Sequence, residues 1–194
     1  MPSDLRPGPD SPPTDELASA EASLTVLQHV LHPLANDDKS KQTPCSEYTV
    51  KELTTHLLNS IIALGGVVGA DLTVAEDTDS IERLVIGVAR PALDAWHKHG
   101  LEGEVTLGGG SMPARVAVGV LSIEFLVHGW DYARAVGHDI DVPDSLSEYV
   151  LGLARQIIKE PQRRVAGFDD PVDVPDDADA LTKLVAFTGR NAAG

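Results

Sequence analysis

Cysteine is all but missing from these 194 residues: Cys45 stands alone, so no disulfide can close within the chain and no thiolate-rich zinc site can be built. Any metal must therefore rest on histidine and carboxylate. Aromatic residues are scarce as well, at 4%, which leaves an aliphatic core. Positive charge is in deficit: 15 Lys and Arg face 30 Asp and Glu, a formal charge of -15 that no basic stripe offsets. Such a chain is repelled by phosphate backbones and anionic lipid, which argues against nucleic acid and membrane surfaces as partners. Long hydrophobic runs are lacking too. The apolar run from Val116 to Val127 is too short for a bilayer span, and Glu124 and His128 interrupt and bound it, so it reads as a core helix. Met1 to Thr14 is rich in Pro, Ser and Asp and has no secretory apolar stretch. It reads as a disordered tail on a cytoplasmic protein.

What remains is the balance of a globular chain, 42% hydrophobic and 23% charged, and its length predicts one domain over residues 15–191. Start and stop signals divide that domain into helices. Asp15 and Glu16 open a first helix that runs to about His32, where Pro33 stops it. Thr49 and Glu52 form a capping box, with Tyr48 and Leu53 as its hydrophobic staple, and predict a second helix from Val50 to about Ala70. Asp79 and Glu82 repeat that spacing with Asp79 as cap and predict a third helix to His99, ended by Gly100. Leu101 to Met112 is β-favouring and punctuated by glycine, which predicts an extended or hairpin connection. Pro113 as first helical residue then opens a nearly wholly apolar fourth helix to Val136, with Gly137 as terminator. Asp144 to Lys159 reads as a further amphipathic helix, Pro171 to Pro175 as extended, and Asp177 to Thr188 as a short closing helix.

Three titratable groups interrupt two of these apolar helices. His56 is the only ionisable residue between Leu53 and Ala70, and Glu124 and His128 are the only ones between Arg115 and Asp131. A buried carboxylate without a partner costs several kcal/mol, so Glu124 must be paired, neutralised or metal-bound. Four-residue spacing puts Glu124 and His128 on one helical face, and His56 arrives from another helix as a third ligand. One divalent ion accounts for all three. Two imidazoles and one carboxylate suit zinc, with nickel or iron as alternatives, and leave a position open for water or substrate.

The residues also carry a resemblance. Thr43-Pro44-Cys45, Tyr48-Thr49-Val50, Leu53, His56-Leu57, Glu124, Val127-His128-Gly129-Trp130-Asp131 and Ala133 to Gly137 resemble the DinB-like metal-binding bundles. Within that superfamily they look most like the branch of the mycothiol-dependent maleylpyruvate isomerase N-terminal domain. The likeness runs from Glu16 to the ending Leu184 to Arg190. It implies an all-α DinB-like four-helix bundle with a short extended connector and a small C-terminal helical extension, and a metal on His56, Glu124 and His128. Glu rather than His at position 124 places the chain on the isomerase side of the superfamily.

Other candidates carry two readings each. Asp131, three residues past His128, suits an acceptor that orients the ligand imidazole, or a salt bridge to Arg134 or Arg115. Trp130 reads as core or pocket wall, and Arg134 as a packed surface residue rather than an anion binder. Cys45 reads as a small buried residue rather than a reactive thiol. His97 and His99 read as solvated helix-end residues, and Gly108 to Gly110 as a connector rather than a phosphate cradle. His29, His32 and His138 receive no role.

Three functions fit these residues. The resemblance implies a metal-dependent transferase or isomerase that presents a small thiol, mycothiol, to a small-molecule electrophile, in a protein that pairs as a homodimer. The alternatives are a non-catalytic metal-binding or sensing protein, with a closed coordination sphere, and a metal-assisted hydrolase that uses the same ligands.

Overall fold

The computed structural model describes residues 10–160, 163 and 168–192. Positions 1–9 of the expected N-terminal tail lie outside that set. Helix α1 (Glu16–Leu31) begins where expected, with the Asp15 carboxylate accepting from Ala18 N–H at 2.8 Å. Helix α2 (Val50–Gly66) opens on the expected capping box: Thr49 Oγ1 accepts from Glu52 N–H, and Glu52 Oε2 accepts from Thr49 N–H at 2.8 Å. It ends before the expected Ala70, because Gly65 and Gly66 unwind it into a turn completed by Gly69 at φ 77°.

Helix α3 (Ile81–His99) corrects one expectation. Its N-cap is Ser80, which accepts from Arg83 N–H, while Asp79 pairs with Lys39 and Glu82 is drawn to Gln28 and His32 of α1. Tertiary partners for both acids thus override the capping pattern. The connector is a hairpin of β1 (Glu104–Leu107) and β2 (Gly110–Pro113), antiparallel, with Gly108 and Gly109 in the left-handed turn. Pro113 closes that hairpin rather than starting the helix, so α4 runs from Ala114 to Val136 and stops at Gly137, φ 72°. Helices α5 (Asp144–Ile157) and α6 (Ala180–Phe187) follow, each shorter than its sequence pattern suggested. Residues 171–175 form no strand.

Helices α1, α3, α2 and α4 pack in that order around a closed ring, with α5 laid over α4 and α1, and α6 over α5 and α4. The fold is all-α but for the hairpin. Helix α4 therefore touches neighbours on every side, which is why its sequence is apolar all round rather than amphipathic. One face joins a core with Leu27, Leu57, Ile61, Trp96 and Phe125, and the other a second cluster with Leu146, Val150 and Leu184. Helix α5 lies close against Gly119, where an added Cβ would lie 2.7 Å from Ile157 Cδ1. Among the described residues no helix is long and apolar enough to cross a membrane.

Candidate metal centre

The ring of helices brings His56 of α2 against Glu124 and His128 of α4. One ligand atom from each lies within 4.8 Å of the other two. Glu124 Oε2 sits 3.3 Å from His56 Nε2 and 3.6 Å from His128 Nε2. Two ligands held at about 2.0–2.1 Å from a tetrahedral ion stand about 3.3 Å apart, so these separations suit a shared ion. Glu124 Oε2 is fully buried and, although both imidazoles stand near it, accepts no hydrogen bond. A divalent ion among the three side chains would give that oxygen a bonded cation, which a buried carboxylate favours. The residues present fit the group.

Both histidines are held from behind. The Tyr48 ring stacks on His56 with centroids 5.2 Å apart, and the two imidazoles meet edge to face at the same distance. His128 Nδ1 lies 2.9 Å from Asp131 Oδ2, which directs Nε2 toward Glu124. Asp131 is completely buried and takes its second partner from Arg190, not from Arg134 or Arg115. Arg115 instead pairs with Glu16 and Glu102, and Arg134 lies over the Trp130 ring. Arg190 is the residue that spacing could not find. Only its place in the resembling C-terminal string marked it, because its partner lies in another helix.

Burial opposes charge on Glu124 and His128, yet each overcomes it in the other. Desolvation is outweighed by the charge of His128 and its neighbour His56, so the Glu124 carboxyl is held well below the usual carboxylate range. His128 loses to burial and gains more from the Glu124 charge and from Asp131, and its pKa is pushed up to about 9. Asp131 is likewise held low against burial by His128 and Arg190. Exposure at the centre is uneven: the His56 side chain is 33% exposed, against 10% for Glu124 and 6% for His128.

The remaining candidates fall elsewhere. Cys45 is half-buried in the loop before α2, and burial pushes its thiol up, which suits the inert reading. His97 and His99 are exposed at the end of α3, with Glu21 and the Gly100 carbonyl as partners. His32, which received no role, meets Glu82 at 2.9 Å. A contact fifty residues along the chain leaves no local signal.

The four-helix ring with its hairpin and C-terminal helices has relatives in fold among solved structures. It is similar to the crystal structure of the mycothiol-dependent maleylpyruvate isomerase and to that of a mutant of the same enzyme. Each has a TM-score of 0.58 and 18% identity, over 79% of this chain and 72% of that one. In sequence the chain is similar to the uncharacterized proteins MT0763 and Rv0738 of two Mycobacterium tuberculosis strains. Identity to each is 26% over 179 residues, which span 91% of this chain and 98% of theirs. No family model matches the chain.

Proposed function

We propose that the protein is an enzyme that holds a divalent ion, zinc by its donor set, on His56, Glu124 and His128, and uses it to activate a small thiol against an electrophile. The observation that carries the reading is the buried Glu124 Oε2, which accepts no hydrogen bond yet lies 3.3 Å and 3.6 Å from two imidazole Nε2 atoms. A divalent ion bound there lowers the pKa of a thiol ligand, so that the nucleophile is present as thiolate at neutral pH.

The chain's own residues do the rest. His56 and His128 would present Nε2 to the ion, and Asp131 accepts a hydrogen bond from His128 Nδ1–H, which leaves Nε2 as the nitrogen free to bind it. Glu124 is consumed as a ligand and leaves general-base work to other groups. His56 is the most exposed of the three, so a ligand would reach the ion past it, while Glu124 and His128 stay buried. Mycothiol is the thiol of choice, as the similar isomerase depends on it, and the reaction class is S-transfer or thiol-assisted isomerisation. A thiol cofactor stays reduced in the cytoplasm, which is where the protein works on this reading.

The test is metal content. Protein purified without chelators should carry one divalent ion per chain, and His56→Ala and His128→Ala should each carry none. Full occupancy in either variant would remove the ligand assignment.

A further inference from the structure

The Asp131 carboxylate is clamped from two directions. Oδ2 meets His128 Nδ1 at 2.9 Å and Arg190 Nη2 at 2.9 Å, while Oδ1 accepts from Arg190 Nε at 3.2 Å. The guanidinium thus holds both oxygens in its fork, which fixes the carboxylate plane and not merely its charge. Its third nitrogen is tied as well, Nη1 donating to the Thr188 carbonyl at 2.8 Å. No other donor reaches Asp131 among the described residues.

Arg190 is brought there by a built turn. Helix α6 ends at Phe187, and Arg190 N–H donates back to the Val185 carbonyl at 2.9 Å. Gly189, between them, has φ 90°, and a Cβ there would lie 2.5 Å from that of Asp169. Only glycine passes. Arg163 then pins the outer side, with Nη1 on the carbonyls of Phe187 and Asp169. The C-terminal segment is therefore docked through Arg190 onto the residue that orients His128.

We propose that Arg190 is a positioning residue for the metal centre: by clamping Asp131 it fixes the His128 ring, and metal binding and docking of the C-terminal turn become one linked equilibrium. The proposal rests on the metal centre described above. Without the fork, Asp131 faces a single imidazole and can rotate about its own bond, so His128 Nε2 is no longer held toward Glu124. Loss of a group that orients a ligand costs about 10–100-fold in metal affinity. Reciprocity follows, since two events that share a free energy must each favour the other.

Zinc affinity is to be measured by competition with a chromophoric chelator for the full chain, Arg190→Gln, Asp131→Asn and the double variant. Arg190→Gln should weaken binding about 10–100-fold, and the double variant should bind no more weakly than the weaker single one. The cobalt-loaded Arg190→Gln protein should show altered ligand-field bands, which loss of stability alone would not produce. Affinity within twofold of the unaltered chain, or effects that simply add, would overturn the proposal while leaving the metal centre standing. An unaltered chain that takes up no zinc would remove both. Should the variants fail to fold, amide exchange on the unaltered protein decides: zinc should slow exchange at Arg190, and an unchanged rate there overturns the linkage.

Discussion

Glu124 meets His56 across the contact between α2 and α4, with Oε2 3.3 Å from Nε2 and no hydrogen bond closing the gap. A buried carboxylate oxygen this near a half-buried imidazole, with no hydrogen bond joining them, leaves room for a shared ligand. The same oxygen faces His128 Nε2 at 3.6 Å, so three side chains would share it.

Proton competition sets the pH dependence of metal uptake. With its pKa near 9, His128 carries a proton at neutral pH that an incoming ion must displace. Apparent zinc affinity should therefore climb with pH below that value, by about tenfold per unit where His128 alone is protonated. Titration calorimetry at pH 7 and 8 in buffers of differing ionisation heat checks it. The same affinity at both pH values, with no proton released, would contradict histidine ligation.

The metal-free protein should show the opposite trend. His128 is raised above its ordinary 6.5, so the stability it contributes is complete below 6.5 and is lost as pH rises through about 9. Glu124 is lowered from 4.5, so its contribution is complete above 4.5 and is lost as pH falls below that. Urea midpoints of the chelator-treated protein should decline from pH 6.5 to 9, while those of the zinc-loaded protein should not.

Thr49→Ala removes the hydroxyl that accepts from Glu52 N–H and donates to Glu52 Oε2, and leaves the Thr49 N–H bond to Glu52 in place. The expected cost is about 1 kcal/mol in denaturant unfolding. Since His56 lies more than a turn further along α2, metal stoichiometry should remain one per chain.

Trp96→Ala probes the other end of the bundle. Its ring is fully buried and its Nε1–H donates to the Leu64 carbonyl at 3.0 Å. Truncation leaves a large cavity and an unpaired carbonyl, at a cost of about 3–5 kcal/mol by denaturant titration. A smaller loss, below about 1 kcal/mol, would mean that the contact between α2 and α3 repacks freely.

Much of this was legible in the sequence, for local reasons. The Thr49 capping box, the Gly100 and Gly137 stops and the glycine hairpin are short-range signals, and each lies where its chemistry put it. Glu124 and His128 were readable as one face because they share a helix. What stayed hidden depends on contacts between elements. Ser80 displaced Asp79 as cap because Glu82 found Gln28 and His32, and Asp131 found Arg190 rather than the arginines near it in sequence.

The most direct test of a thiol-activating centre is the visible spectrum of the cobalt-substituted Cys45→Ser protein on addition of mycothiol. Removing Cys45 ensures that any sulfur on the metal comes from the added thiol. Thiolate bound to cobalt gives an intense sulfur-to-metal charge-transfer band that nitrogen and oxygen donors do not. The account predicts that this band appears on titration, saturates at one thiol per chain and is absent in His56→Ala. A spectrum that answers to water or carboxylates but not to any thiol would move the centre to metal-assisted hydrolysis, and one that answers to nothing would mark it as closed and structural.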